Sequence, residues 1–263
     1  MAIEQVLLTN CVAVVALFAA LWCVSLVLRD ASIVDPFWGL AFVLIAWVSL
    51  GTSGNASPRS LLIAILVSVW GLRLSGYLTW RNWGKPEDYR YQAMRERHGP
   101  RFPIVSLFTV FGVQSLLAWI ISLPVQIGVG TANVWTPLVL VGVLLWAVGL
   151  FFETVGDYQL ARFKSNPDNR GRVMNRGLWR FTRHPNYFGD FLVWWGFYFL
   201  SAQFGSWWWT IIGPLLMSFL LIRVSGVRLL ESSLKSRVEG YEDYLRRTSA
   251  FFPLPPKRHA SQK

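Results

Sequence analysis

Apolar runs long enough to cross a bilayer divide this chain of 263 residues, and they leave little freedom in what it can fold into. In hydrocarbon every backbone N–H and C=O must be bonded within the protein, so such runs become helices. A spanning helix needs about 20 apolar residues. The runs fall at about 6–28, 33–50, 60–80, 104–123, 134–155, 187–202 and 207–222. The sixth is short, and Pro214 is expected to kink the seventh. The expectation is an all-α integral membrane protein with seven transmembrane helices in one membrane domain, 1–263. Composition agrees. With 54% hydrophobic residues, 15 Trp and a mean hydropathy of +0.40, the chain is too apolar for a soluble domain.

The formal net charge is +11. In a soluble protein that excess would suggest nucleic acid as a partner. Here the bases fall in alternate connections, so the positive-inside rule accounts for them and no nucleic acid is expected. The 81–103 loop holds six Lys or Arg, the 162–183 segment seven, and the region from Arg223 onward nine. The 124–133 and 201–206 connections hold none, and 51–59 holds only Arg59. The N-terminus is therefore expected outside and the C-terminus in the cytoplasm. Trp207, Trp208 and Trp209 then form an outer aromatic belt. The first run lacks a basic leader and a small-residue cleavage site, so it reads as a retained helix. Cys11 and Cys23 share that helix and cannot pair. His98, His184 and His259 have no metal-ligand spacing, so no metal is expected. Leu229, Leu230, Leu234, Val238, Tyr241 and Tyr244 recur at helical spacing. They predict a cytoplasmic amphipathic helix over about 228–248, followed by a basic tail over 253–263.

The stretch Gly177-Leu178-Trp179-Arg180-Phe181-Thr182-Arg183-His184-Pro185-Asn186-Tyr187-Phe188-Gly189-Asp190 sets basic and polar residues onto the start of an apolar helix. Pro185 suits a first helical turn, where no backbone N–H is needed. Asn186 and Asp190 are four apart and share a face. Other polar groups lie at the same inner depth: Asp35, Arg73 with Tyr77, Glu153 with Asp157, then Arg223, Arg228 and Glu231. Ionisable groups at membrane depth usually line an interior cavity and pair with each other. Two readings follow. One is a single polar cavity open to the cytoplasm; the other is a set of separate ion pairs, such as Arg73 with Asp35. A site rich in Arg and Lys, including Lys164, Arg172 and Arg183, suits a large anionic cofactor. No G-x-G-x-x-G after a strand, P-loop or G-x-S-x-G occurs. The Glu87-Asp88-Tyr89-Arg90-Tyr91 segment reads as an inner amphipathic loop, with a lid over the cavity as the sharper alternative.

Together with Asp35-Pro36-Phe37-Trp38-Gly39, the Glu87 to Tyr91 segment and the run from Tyr244 to Pro253, that stretch resembles a bacterial membrane family of unknown function. The family is grouped with the steroid 5-alpha-reductase C-terminal domain. Its superfamily includes sterol reductases and isoprenylcysteine carboxyl methyltransferases. The resemblance implies a seven-helix reductase in a bacterial inner membrane. It would take NADPH from the cytoplasm and reduce a carbon–carbon double bond of a steroid-like or other lipid, with that lipid and the membrane as its partners and the protein as a monomer. It also implies the site. Arg73, Asp157, Tyr158, Lys164, Arg172, Trp179, Arg183, His184, Asn186, Tyr187, Asp190, Arg228 and Glu231 would hold the cofactor. Asp35 and Tyr77 would stabilise developing charge or donate the proton.

Two features depart from the steroid reductases. Their carbonyl-polarising Gln-Glu and Tyr are not intact here, since Asp35 and Trp70 stand at the comparable places. The methyltransferases also carry an Arg-His-Pro-x-Tyr run, with a Glu-Glu on the last helix that is matched in part by Leu230-Glu231. An S-adenosylmethionine-dependent lipid or isoprenylcysteine-type methyltransferase is thus the alternative, and a non-catalytic lipid-binding protein a second one.

Overall fold

The computed structural model describes residues 3–54, 56–130, 135–201, 207–224 and 240–257. Those residues are helical or in loops, apart from one isolated parallel bridge between Thr182 and Ser249. Five helical stretches are long and apolar enough to cross a membrane: Ile3–Leu28, Ala31–Ser53, Pro58–Asn82, Tyr89–Ile121 and Pro137–Ser165. The two remaining apolar runs form shorter helical stretches, Pro185–Leu200 with 16 residues and Trp208–Val224. The chain divides into two compact units, Met1–Thr136 with Ser201–Gly213, and Pro137–Leu200 with Pro214–Lys263.

The first unit is built on α1 (Ile3–Leu28), α2 (Val34–Ser53) and α3 (Pro58–Asn82). Ser57 caps α3 by accepting from Ser60 N at 3.2 Å, and Pro58 occupies the first turn. Helices in lipid gain little from hydrophobic contrast, so close packing of small residues joins them. Gly39 and Gly71 meet back to back. A Cβ on Gly71 would lie 2.6 Å from Gly39 O. Beside them Trp70 is fully buried and packs edge-on to Phe42, 5.5 Å between ring centroids. Asn10 donates to Ser49 at 2.8 Å and ties α1 to α2 with a buried polar pair.

After α4 (Tyr89–His98) the chain continues through α5 (Phe102–Ser106), a π-helical segment (Leu107–Gly112) and α6 (Val113–Ile121). The connection expected at 124–133 is largely a helix, α7 (Leu123–Gly130), with Leu123 to Val129 all buried. Lack of charge there marks burial rather than a loop. Gln126 donates to Trp119 O and Ser122 Oγ, and Ser60 donates to Val129 O at 2.8 Å.

The second unit rests on α8 (Pro137–Ser165) and α9 (Pro185–Leu200). Gly142, Gly149 and Gly156, each seven residues apart, face Gly196, Gly189 and Pro185. A Cβ on Gly149 would lie 2.6 Å from Gly189 O, and one on Gly142 would lie 2.8 Å from Gly196 O. Pro214 lies in the first turn of α10 (Ile212–Phe219), directly after a 3-10 turn over Trp208–Ile211. Of the amphipathic helix expected over 228–248, α11 (Tyr241–Arg247) is described, with Tyr241 and Tyr244 buried. Residues 225–239 lie outside the described residues, and so do 258–263 of the expected basic tail.

Candidate functional site

In the second unit, α8 supplies Glu153 and Asp157, both buried and one turn apart. α9 supplies Asn186 and Asp190, also one turn apart and half-buried. Asn186 Nδ2 donates to Asp157 Oδ1 at 3.2 Å, so the first turn of α9 is pinned to the C-terminal half of α8. The glycine joint makes this possible. Gly189 lets α9 close onto Glu153, whose Cγ would lie 2.8 Å from a Cβ there. Pro185 opens α9 as expected, and the buried His184 ring stacks on Tyr187, 5.3 Å between centroids and 3° from parallel.

The approach to α9 folds onto α8. Gly177 turns with φ 58°, Leu178 N donates to Gln159 Oε1 at 3.0 Å, and the buried Trp179 donates to Gly156 O at 3.0 Å. Lys164 and Arg172 are exposed at the end of α8 and in the loop beyond it. Tyr158 is 61% exposed, turned from the buried Asp157 by one helical step. Arg183 Nη1 donates to Leu245 O at 2.9 Å and to Thr248 O at 2.7 Å. Arg228 and Glu231 lie outside the described residues. Glu153, paired with Asp157 in the sequence by its spacing but absent from the cofactor residues that the resemblance implies, belongs to this group.

The first unit holds a different cluster. Asp35, at the start of α2, accepts from Tyr91 Oη at 2.8 Å and from Arg90 Nη2 at 2.9 Å. Arg90 Nε also donates to Asp88 Oδ1 at 2.8 Å. Asp88 caps α4 by accepting from Arg90 N at 3.0 Å. Burial alone would push the Asp88 carboxyl up. The hydrogen bonds from Arg90 and the charges of Arg90 and Arg81 outweigh it and hold the group below its ordinary value. Nearby, Glu87 accepts from Arg95 at 2.8 Å and from Ala31 N at 2.7 Å, and Arg95 lies over the Phe102 ring at 4.3 Å. Residues 87–91 thus fasten α4 to the start of α2. Asp35 pairs with Arg90, where the ion-pair reading had proposed Arg73. Tyr77 lies between two guanidiniums on α3, Arg73 and Arg81, each 5.9 Å from its ring centroid.

The family model described as protein of unknown function DUF1295 matches residues 21–248, which include both clusters. The chain belongs to the DUF1295 family. Among curated relatives, the uncharacterized protein C594.04c of Schizosaccharomyces pombe is 29% identical over 211 residues, 69% of this chain and 60% of that protein. The probable O-methyltransferase ustE of Ustilaginoidea virens is 37% identical over 65 residues, 25% of this chain and 22% of that protein. The chain thus spans less than two thirds of the length of either relative. No solved structure matches it.

Proposed function

We propose that this DUF1295 membrane protein is an NADPH-dependent reductase of a carbon–carbon double bond in a steroid-like or other lipid. The observation that supports the reading is a division of charge in the second unit. Asn186 bonds Asp157 at the helix joint, with Glu153 and Asp190 one turn away. The neighbouring 162–183 segment carries seven bases and one acid, Asp168. A dinucleotide has the same division. Its nicotinamide–ribose end offers a carboxamide and hydroxyls that suit amide and carboxylate groups, while its phosphates call for guanidinium or ammonium. S-adenosylmethionine has no phosphate to engage those bases.

In this reading Asn186, Asp157 and Asp190 take the nicotinamide–ribose end, beside His184, Tyr187 and Trp179. Lys164 and Arg172 take phosphates, and Tyr158, Arg228 and Glu231 complete the set. NADPH, when bound, supplies the hydride. The groups the sequence offers for the proton and the developing charge, Asp35 and Tyr77, belong to the first unit, where Asp35 is tied to Arg90 and Tyr91. The two guanidiniums beside Tyr77 favour negative charge near its ring. We place the N-terminus outside, the cofactor site in the cytoplasm and the monomer in a bacterial inner membrane.

Tryptophan emission of the detergent-purified protein tests this. NADPH should quench it, and Asn186→Ala should weaken NADPH binding about fivefold, the size expected for a hydrogen bond of about 1 kcal/mol between uncharged groups. A response to S-adenosylmethionine with none to NADPH would replace the reductase by a lipid methyltransferase. The stretch shared with the probable O-methyltransferase is what favours that second reading.

A further inference from the structure

The C-terminal residues 248–254 run beside the approach to α9 and are fastened to it at successive positions. Thr182 Oγ1 donates to Phe251 O at 2.8 Å, Arg183 N to Ser249 O at 2.9 Å, and Leu254 N to Phe181 O at 3.0 Å. Tyr244 Oη donates to Trp179 O at 2.6 Å. The Arg183 guanidinium spans the end of α11, where a helix leaves its last carbonyls without partners, and satisfies Leu245 O and Thr248 O together. The same Thr182 Oγ1 accepts from His184 N at 3.3 Å, two residues before Asn186.

We infer that Arg183 is a positioning residue rather than a phosphate ligand: it straps residues 248–254 to the start of α9, and the strap sets the register of His184 and Asn186. This rests on the cofactor site proposed above. Its charge serves two backbone carbonyls 62 and 65 residues away in sequence, both through the one nitrogen Nη1 at the far end of the side chain. Lysine keeps the charge, but its ammonium ends one bond short of that position.

Amide hydrogen exchange and NADPH binding test it together, with the full-length protein in detergent. Arg183→Lys should speed exchange of the Leu254 amide at least tenfold and weaken NADPH binding severalfold, in parallel at low and high salt. Thr182→Val, which changes no charge, should do both as well. Arg172→Ala should instead flatten the salt dependence of binding, because it removes an exposed charge. A merely structural role would lower the melting temperature and leave the dissociation constant of the folded protein unchanged, which overturns the proposal. So would Arg183→Lys leaving Leu254 protected, or weakening binding chiefly at low salt. If the unaltered protein binds no NADPH, the cofactor reading fails. The exchange measurements still decide whether Arg183 holds the strap.

Discussion

The two polar clusters are built from the same kinds of residue and resolve their charge in opposite ways. In the first unit two arginines sit on three acids: Arg90 on Asp35 and Asp88, Arg95 on Glu87. Such a cluster pairs its charges internally, and its bonds join one element to another. In the second unit acids and an amide gather on the α8–α9 joint, while six of the seven bases in 162–183 are exposed and Arg183 bonds backbone carbonyls. Paired charge makes a clasp. Acids and an amide on the joint, with bases on the neighbouring segment, suit a ligand that has a neutral hydrogen-bonding end and a phosphate end. The clusters should therefore respond differently to mutation, the clasp through stability and the joint through binding.

The largest effect is expected at the joint itself. Gly149→Ala places a Cβ against the backbone carbonyl of Gly189, which cannot swing aside as a side chain would. Overpacking of this kind costs about 1–3 kcal/mol, and the separation it forces should also break the Asn186–Asp157 bond. Thermal melting should show the loss, and NADPH binding should fall with it. Gly76→Ala on α3 is the internal control, since no atom lies within 4 Å of its Cβ. Alanine there should be neutral or stabilising by up to about 1 kcal/mol. Equal melting temperatures for the two variants would mean that the joint is not tightly packed.

The clasp should yield a smaller effect. Arg90→Ala removes a cation whose side chain is 42% exposed, so solvent already screens much of its attraction. A loss of about 1 kcal/mol or less is expected, with NADPH affinity unchanged. Weakened NADPH binding in this variant would erase the distinction between clasp and ligand site.

Much of this was legible in the sequence because it is written in side-chain type and spacing. Apolar runs announce the helices, Pro185 announces the start of α9, and the seven-residue interval of Gly142, Gly149 and Gly156 foreshadows the joint. The 124–133 stretch misled because an uncharged, proline-containing segment reads the same whether it is a loop or a buried helix. Only the neighbours that cover α7 decide between them. The role of Arg183 was hidden for another reason. Its partners are carbonyl oxygens, which every residue possesses, so nothing at Leu245 or Thr248 advertises the contact. Asp35 could be picked out as costly, but the choice between Arg73 and Arg90 as its partner depends on how residues 87–91 return to α2.

The finest distinction between the clusters lies in their acid response. Asp88 is outside the spanning helices, and its folded-state carboxyl is held below the ordinary value by Arg90 and Arg81, against the opposing effect of burial. A carboxylate lowered in this way stabilises the fold fully above its unfolded value, near about 3.9. That contribution is lost as the pH falls through the lower folded value, where the native state must also take up the proton. Asp88→Asn removes the titrating group but keeps an oxygen that can cap α4. The variant should melt slightly below the unaltered protein at neutral pH, and the gap should close as the pH falls below about 4. Melting curves across that range in detergent provide the measurement. A gap that stays constant would assign the Asp88 contribution to the cap alone, and the first cluster would then hold its elements together by hydrogen bonds rather than by matched charge.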